Sequence, residues 1–258
     1  MALITFLSDF GLADHYVAAV KAKILSINPN LPIIDISHLV ESCNLAQASF
    51  VLNAVYRDFP EGTIHMVAVA SSTGPEDRFL ALNLEGHNFV GNDNGFWGLI
   101  SDTESKNVVD INSINPIKTN FPARDILAPN VAKLASGTSI QDLGKPVAAY
   151  KRMIGRSSRA TKKQINGHVV HVDHYGNLIT NIKQEDFEIL SKNKGYSVKF
   201  GRESMNYVQN TYNTVDNGDA FLLFNSQGYL EIGISHGNAS QLLGLRFDSP
   251  VIIQFEDQ

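Results

Sequence analysis

The stretch "ALITFLSDFGLADHYVAAVKAKILSINPNLPIIDIS", Ala2 to Ser37, contains a strand, a helix and a second strand in that order. "ALITFL" and "PIIDIS" are short apolar runs of strand length, and "HYVAAVKAKILSI" between them has the apolar spacing of a helix that ends at "NPN". Two strands joined through a helix form a right-handed crossover between parallel neighbours. The stretch therefore predicts an α/β fold with a mostly parallel sheet.

The next hundred residues continue this alternation. "NLAQASFVLNAVYRDF" predicts a helix with Asn44 as its N-cap and "PEGT" as its stop, and "TIHMVAVA" predicts a third strand. "FLALNLEGHNFVG" predicts a hairpin around Glu85-Gly86. A further helix is expected over "RDILAPNVAKLASG", ending at Gly137, with its start shifted or kinked by Pro129.

The character of the sequence changes after a basic run made of Lys151, Arg152, Arg156, Arg159, Lys162 and Lys163. Short strands separated by turns follow, namely "HVVHVD", "YSVKF", "AFLLFN", "YLEIGIS" and "VIIQFE". Such a succession is typical of a small antiparallel sheet or barrel. We predict an N-terminal α/β domain over residues 1–150, a linker over 151–163, and a smaller C-terminal antiparallel β-barrel-like domain over 164–258.

Composition excludes several classes of protein. The 258 residues are 43% hydrophobic and 18% charged, as in globular proteins, and the net charge of -5 argues against nucleic acid as the main partner. The basic run is interpreted as a solvated linker rather than a phosphate-binding patch. The single cysteine, Cys43, excludes an intrachain disulfide and a thiolate zinc cluster. No segment reaches 18 apolar residues and "MALITFL" meets Asp9 too early for a signal peptide, so we expect a cytoplasmic protein without a membrane partner.

Ligands of an open parallel sheet bind beyond the carboxyl ends of its strands, which directs attention to the loops "SDFGLAD" and "SSTGPEDR". The first loop carries Asp9 and Asp14 around Gly11. Asp14 is either the acceptor of two hydrogen bonds from a ribose diol or simply the N-cap of the following helix. Neither G-x-G-x-x-G nor G-x-x-x-x-G-K-[ST] occurs, which favours a nucleoside without phosphate.

The second half has its own candidate site in "DHYGNLITNI", residues 173–182. Asp173, Asn177 and Asn181 cluster around a glycine, where such side chains either bond their own backbone or hold an ammonium group. Farther on, "NSQGYLEI" places Ser226 at the end of a strong strand. "SHGNASQLLG" predicts a loop opening a short helix, whose free N–H groups can meet a base edge or a carboxylate. The spacing of the histidines predicts no metal site.

Taken together, six stretches resemble one family. "FLSDFGLADHYVAAVKAKILSINP", "FPEGTIHMVAV", "VGNDNGFWGLI", "RDILAP", "VDHYGNLITNI" and "NSQGYLEI" run in the order found in the S-adenosylmethionine (SAM) hydroxide adenosyltransferases, relatives of the SAM-dependent fluorinase and chlorinase. The resemblance spans nearly the whole chain. It implies SAM as the substrate, no cofactor, and a homotrimer with SAM bound between neighbouring subunits.

The resemblance also assigns substrate contacts. Asp14 matches the ribose-diol carboxylate, and Asn238 and Ala239 fall near the adenine contacts. Asp173, Tyr175, Asn177 and Ser226 fall where the family holds the methionine end. The remaining predicted substrate-binding residues are Asp9, Thr73 and Phe121.

The group that activates water is the point of departure from the family. Members that use water carry an Asp, an Arg and a His, but the loop here has Ala70-Ser71-Ser72 in place of Asp-Pro-Gly, and the His falls at Pro122. The Arg position is Asp77, with Arg78 one residue on. We expect Asp77 and Arg78 to be the catalytic residues, substituting in part for the missing groups. Fluorination is not indicated, because the insertion after this loop is missing and the halide-side Ser is Ala123.

Three functions follow from these observations. The first, which we favour, is hydrolysis of SAM to adenosine and L-methionine by attack of water on the ribose C5′. The second is adenosyl transfer to a different nucleophile, which needs no activated water. The third is a protein that senses SAM or adenosine without turnover.

Overall fold

The structure, a computed structural model, describes residues 2–72, 74, 77–212 and 214–256. The chain divides into two compact units, Met1–Gly155 and Arg156–Gln258. The first is a mixed α/β unit and the second is built on an antiparallel sheet, so the predicted fold class is confirmed. Among the helices of the described residues, none has the length and apolar character needed to cross a bilayer.

The first unit is a sheet with helices on both faces. Its elements are β1 Ile4–Ser8, α1 Tyr16–Ile27, β2 Ile33–Ser37, α2 Leu45–Asn53, β3 Ile64–Ala68, β4 Phe79–Leu84, β5 His87–Asn92, α3 Trp97–Ile100, β6 Val108–Asp110, α4 Ala128–Ala135 and β7 Lys145–Pro146. The strand order is β2-β1-β3-β5-β4-β6-β7. β2, β1, β3 and β5 are parallel neighbours, whereas β4, β6 and β7 join in antiparallel fashion.

The central strands of this sheet are buried on both faces. β1 is buried over its whole length: Ile4 and Phe6 belong to the core cluster that contains residues of α1 and α4, and Leu7 belongs to the one that contains residues of α2 and α3. The mostly apolar character of "ITFL" follows from this position, because a strand between two helical layers has no solvent-facing side. The carboxyl ends of β1, β3 and β5 consequently meet at one edge.

Two helices differ from the sequence expectation. α2 begins after Asn44, which accepts a bond from the Gln47 amide as predicted, but it ends at Asn53 and a 3-10 turn follows over Tyr56–Asp58. The turn lets the fully buried Tyr56 donate to Glu85. Before α4, a π-helical turn covers Ala123–Leu127, and Pro129, which has no N–H to donate, lies in the first turn of α4 itself.

The second unit contains β8 Arg159–Ala160, β9 Gln164–Val172, β10 Leu178–Lys183, α5 Gln184–Ser191, β11 Tyr196–Phe200, β12 Glu203–Met205, β13 Ala220–Phe224, β14 Tyr229–Ile234, α6 Ala239–Leu243 and β15 Pro250–Phe255. The strand order is β12-β11-β15-β9-β10-β14-β13, with β8 paired to β9. Beyond β12, Gln209 forms a bridge to Leu223 of β13 at the opposite edge, so the sheet nearly closes on itself. The predicted barrel-like character is explained by this bridge.

A buried pair of histidines lies inside the first unit. His65 of β3 and His87 of β5 are in hydrogen-bond contact (3.2 Å between Nε2 and Nδ1), and His65 Nδ1 also contacts the Thr5 hydroxyl at 2.7 Å. Burial lowers the pKa of His65 to about 3, and the neighbouring His87 acts in the same direction. Both imidazoles are therefore neutral in the folded protein near pH 7.

This pair predicts a loss of stability in mild acid. Because the pKa of folded His65 lies below its ordinary value, the contribution of His65 to the free energy of unfolding is complete above about pH 6.5. This contribution is lost as the pH falls toward 3. At pH 5 we expect about 2 kcal/mol less free energy of unfolding than at pH 7.5. Urea titrations at both pH values measure the difference, which should shrink in His65→Gln and persist in His174→Gln, an exposed control. Equal stability of the parent at both pH values would contradict this assignment.

Candidate functional site

Asp9, at the carboxyl end of β1, ties three loops of the first unit together. Its Oδ2 atom accepts hydrogen bonds from the amides of Cys43 (2.9 Å) and Ala70 (3.1 Å). Both donor residues have a positive backbone φ, 61° for Cys43 and 50° for Ala70. Residues other than glycine rarely adopt this conformation unless the surrounding structure holds them in it. Asp9 thus positions the loops that follow β2 and β3. Its contact with substrate stays a prediction.

Asp14 is exposed and does not cap the helix that follows it. α1 begins at Tyr16, and His15 occupies the N-cap position without a side-chain hydrogen bond. Within the ranges the structure describes, the Asp14 carboxylate has no hydrogen-bond or ion-pair partner, so both of its oxygens are open to a ligand. Beside it, Phe10 packs against Tyr16 and Phe121 with ring centroids 6.0 and 5.9 Å apart, which brings the predicted Phe121 to the same loop.

The loop after β3 is held by the end of β5 and by its own aspartate. The Ser71 hydroxyl donates to Asn92 Oδ1 at 2.5 Å, and the Asn94 amide donates to the Val69 carbonyl at 3.1 Å. Asp77 Oδ2 accepts from the Ser72 hydroxyl at 3.1 Å and from the Gly74 amide at 2.5 Å. Asp77 therefore stabilises its own turn. Thr73, predicted to bind substrate, lies outside the described residues.

Arg78 forms an ion pair with the buried Asp93. The guanidinium Nη2 lies 2.5 Å from Asp93 Oδ2, and the Asp93 side chain is only 1% exposed. The second carboxylate oxygen accepts from the Lys151 amide at 2.7 Å, and Arg78 also donates to the Ala149 carbonyl at 3.1 Å. Arg78 is therefore an anchor between β4, β5 and residues 149–151, and its predicted catalytic role would have to be performed from this position.

Ala70 and Pro122, which stand where the water-using members carry Asp and His, have no titratable group. Ala70 contributes its backbone amide to Asp9, and Pro122 is buried at the start of the π-helical turn. Ala123, next to it, is fully buried in the core. None of the three side chains can accept a proton from water.

The second unit contains a cleft of about 580 Å³. Its lining residues are Tyr175, Asn177, Tyr212, Phe221, Ile234, Ser235, His236, Gly237 and Asn238. Three of the predicted substrate-binding residues, Tyr175, Asn177 and Asn238, come together here. Tyr212, Phe221 and His236 were missed, although Gly233 hints at Phe221: a Cβ at Gly233 would lie 2.0 Å from the Phe221 ring, so this glycine makes room for an aromatic floor.

Asp173 shapes the wall of the cleft through a tight turn. Its Oδ1 accepts from the Asn177 amide N–H at 2.8 Å, and its Oδ2 accepts from the Asn177 side chain at 3.2 Å. Gly176, with φ of 87°, passes so close to Asn238 that a Cβ would lie 2.2 Å from Asn238 Cγ. Asn238 Oδ1 caps α6 by accepting from Gln241, which leaves its NH₂ group for a ligand.

The other two predicted residues of this unit lie differently. Ser226 is exposed in the turn between β13 and β14, and it does not line the cleft. Ala239 is fully buried in the core, so only its backbone is left for a ligand contact. Their roles stay predictions. Within the described ranges, no three His, Cys, Asp or Glu side chains are grouped so that they could hold a metal ion.

The chain is similar to known proteins over most of its length. The family described as SAM hydroxide adenosyltransferase matches in both parts, its N-terminal domain over residues 4–144 and its C-terminal domain over residues 167–252. The (R)-S-adenosyl-L-methionine hydrolase of Thermus thermophilus is 29% identical, covering 97% of this chain and 99% of its own. The enzyme of the same name from Methanocaldococcus jannaschii is 28% identical, covering 95% and 93%. An uncharacterized conserved protein from Thermotoga maritima has a crystal structure that aligns with a TM-score of 0.88, at 32% identity over 98% of this chain and 100% of its own.

Proposed function

The chain belongs to the SAM hydroxide adenosyltransferase family over both of its domains, and we propose that it hydrolyses SAM to adenosine and L-methionine. The proposal rests on the match to the family over residues 4–144 and 167–252 and on the cleft that Tyr175, Asn177 and Asn238 line. Two relatives that cover more than nine-tenths of the chain are named SAM hydrolases. The exposed Asp14 carboxylate, without a partner among the described residues, supports a ribose contact.

SAM brings its own leaving group to this reaction. The sulfonium departs as neutral methionine thioether, so no general acid is needed and no cofactor enters the proposal. The protein has to place one water molecule in line with the C5′–S bond and keep other water molecules away from it. Because bulk water has a pKa near 15.7, deprotonation of the attacking water is the step for which a protein group is most valuable.

Few side chains in this protein can help to deprotonate the attacking water, and we therefore propose slow hydrolysis. Ala70 and Pro122 replace the usual Asp and His, Asp77 is bonded to its own turn, and Arg78 is paired with Asp93. A site that orients its substrate keeps acceleration on the order of a thousandfold without its activating groups. Slow turnover is thus compatible with the missing residues.

The direct test is incubation of the pure protein with SAM, with and without chloride, followed by chromatography of the nucleosides. Adenosine, in an amount that grows with protein concentration, is the expected product. 5′-Chloroadenosine would indicate halogenation instead, and a nucleoside adduct of another added nucleophile would indicate a different adenosyl transfer.

The engaged state of Asp77 and Arg78 also favours a second candidate, a sensor that binds SAM or adenosine without turnover. Saturable binding of SAM by calorimetry, without any product after prolonged incubation, is the result that would select this candidate.

Asp14→Asn tests the nucleoside contact. The amide keeps the shape of the carboxylate but loses charge-assisted acceptance from the ribose hydroxyls, which costs about 1.5 to 3 kcal/mol of affinity. Calorimetry should therefore show roughly tenfold to hundredfold weaker binding of adenosine. Asp102→Asn is a control at an exposed carboxylate away from this loop. Unchanged affinity in a folded Asp14→Asn protein would remove Asp14 from the site.

The assembly and location are further parts of the proposal. The family resemblance supports a homotrimer in which Asp14 and Thr73 of one subunit face Asp173 and Ser226 of its neighbour. Light scattering at micromolar concentration should give three times the 28.3 kDa chain mass, and a monomeric mass would contradict it. A cytoplasmic location, with neither nucleic acid nor membrane as partner, rests on the sequence composition.

A further inference from the structure

Glu231 is a buried acid in an otherwise apolar strand. It lies in the middle of β14, "YLEIGI", and is 3% exposed. Its register partners are Ile179 on β10 and Leu223 on β13, so its side chain is on the face opposite to the core residues Leu222 and Ile232. Along this outer face, Phe221 forms the floor of the cleft and contacts Tyr212 at a centroid distance of 5.6 Å. Glu231 is thus buried beneath the cleft rather than in the barrel core.

The neighbours of its carboxyl group are those of the cleft. Oε1 of Glu231 has no hydrogen-bond partner among the described residues. The side chains of Tyr212, Asn177 and Asn225 lie near the carboxyl and favour its ionised form, and the first two line the cleft. Asp173, which is bonded to Asn177, acts on Glu231 as a like charge. Two carboxyl groups of like charge therefore lie near each other beside the cleft.

No cation balances this pair within the part of the chain that the structure describes, because neither carboxyl forms an ion pair with Lys, Arg or His. Burial raises the pKa of Glu231, and Asp173 raises it further, while the hydrogen-bonding side chains lower it. Burial, with the help of Glu231, also raises the pKa of Tyr212 to about 12, so this phenol keeps its proton. Other titratable groups that face the region within the described ranges are His171, on the same face of β9 by its pairing with Ile179, and Tyr175 and His236 in the cleft lining.

We propose that Glu231 responds to the ligand's charge: a cationic amine that binds beside Asp173 favours the ionised form of the Glu231 carboxyl and so draws its proton away. The inference rests on the proposed function, because the amine is then the α-ammonium group of SAM. The proton that Glu231 loses goes to solvent, and the ammonium group supplies the positive charge that the two carboxyl groups lack among the described residues. Binding is consequently linked to proton release, and affinity for the amine rises with pH through the range in which Glu231 titrates.

Two ligands that differ in the amino acid test this linkage. S-adenosylhomocysteine carries the ammonium group but no sulfonium, so it is not hydrolysed; 5′-methylthioadenosine has the same nucleoside without the amine. Calorimetry in phosphate and in Bis-Tris, whose ionisation enthalpies differ, counts protons released per site between about pH 5.8 and 7.2, where both compounds buffer. We expect release of up to about one proton with S-adenosylhomocysteine and none with methylthioadenosine. Glu231→Gln should abolish the release, whereas Glu203→Gln, at an exposed glutamate of β12, should keep it.

The outcomes separate this inference from the proposed function. Binding of S-adenosylhomocysteine without proton release, in a protein that hydrolyses SAM, overturns the role of Glu231 alone. The same is true of equal release by the parent and by Glu231→Gln. Absence of binding by either ligand, together with absence of SAM hydrolysis, overturns both. The measurement on the parent stands by itself even if Glu231→Gln fails to fold.

Discussion

A protein carrying Ala70→Asp together with Pro122→His is expected to form adenosine from SAM about a hundredfold faster than the parent. General-base assistance contributes 10² to 10⁴-fold, and the parent lacks a proton acceptor at both positions. The backbone at residue 70 suits the change, because its φ of 50° is a conformation that Asp adopts more readily than Ala. The Asp9 contact at this position uses the backbone amide and is retained. Timed chromatography of adenosine measures the gain.

The matched control is Ala70→Asn with Pro122→His, which keeps the shape of the double variant but has no carboxylate. Each single change should give little, because groups that act as a unit are non-additive. If Asp77 and Arg78 have taken over water activation, the double variant gains little and the parent is already active. Negligible turnover in the parent and in the double variant, despite SAM binding by both, would sink the hydrolase proposal.

Arg78→Ala is expected to lower the free energy of unfolding by about 2 to 3 kcal/mol. The change leaves the Asp93 carboxylate, 1% exposed, without its cation, and removing one partner of a buried ion pair costs about 3 to 5 kcal/mol. The estimate is reduced because Arg78 itself is 39% exposed and water can approach its place. Urea unfolding at pH 7.5 measures the loss.

Arg124→Ala is the control for Arg78→Ala: Arg124 pairs with Asp125 at the surface, where solvent screens the ion pair, so its loss should change the free energy of unfolding much less. Equal stability of the parent and Arg78→Ala would show that the pair with Asp93 contributes nothing. Arg78→Lys separates anchoring from catalysis: it keeps a cation near Asp93, so a folded, stable protein that binds SAM but has lost hydrolysis would assign Arg78 to the chemistry.

Local patterns in the sequence were sufficient for the elements that frame the site. Asn44 caps α2 because a short side-chain acceptor satisfies a free amide at a helix start, and this depends on neighbours three residues away. The hairpin at Glu85-Gly86 follows from a two-residue turn in which both residues have positive φ, 50° and 81°. By contrast, the sequence analysis did not predict β10. Asp173 and Gly176, just before "LITNI", are typical of a turn, and the strand that follows them is defined by its pairing with β9 and β14.

By itself, then, the sequence determined the α/β class, the barrel-like second unit and the family, since these depend on hydrophobic period, turn chemistry and the order of motifs. Only the tertiary structure decided which charges are free. In the sequence, Asp9, Asp14, Asp77 and Arg78 are all charged residues of predicted loops. Folding gives the Asp9 carboxylate two amide donors from distant loops and gives Arg78 a buried partner 15 residues away, whereas the Asp14 carboxylate stays open. The same holds for Glu231, whose burial and nearness to Asp173 result from strand register. The physical reason is that desolvation and charge pairing depend on distances set by chain segments far apart in sequence, and no local pattern encodes them.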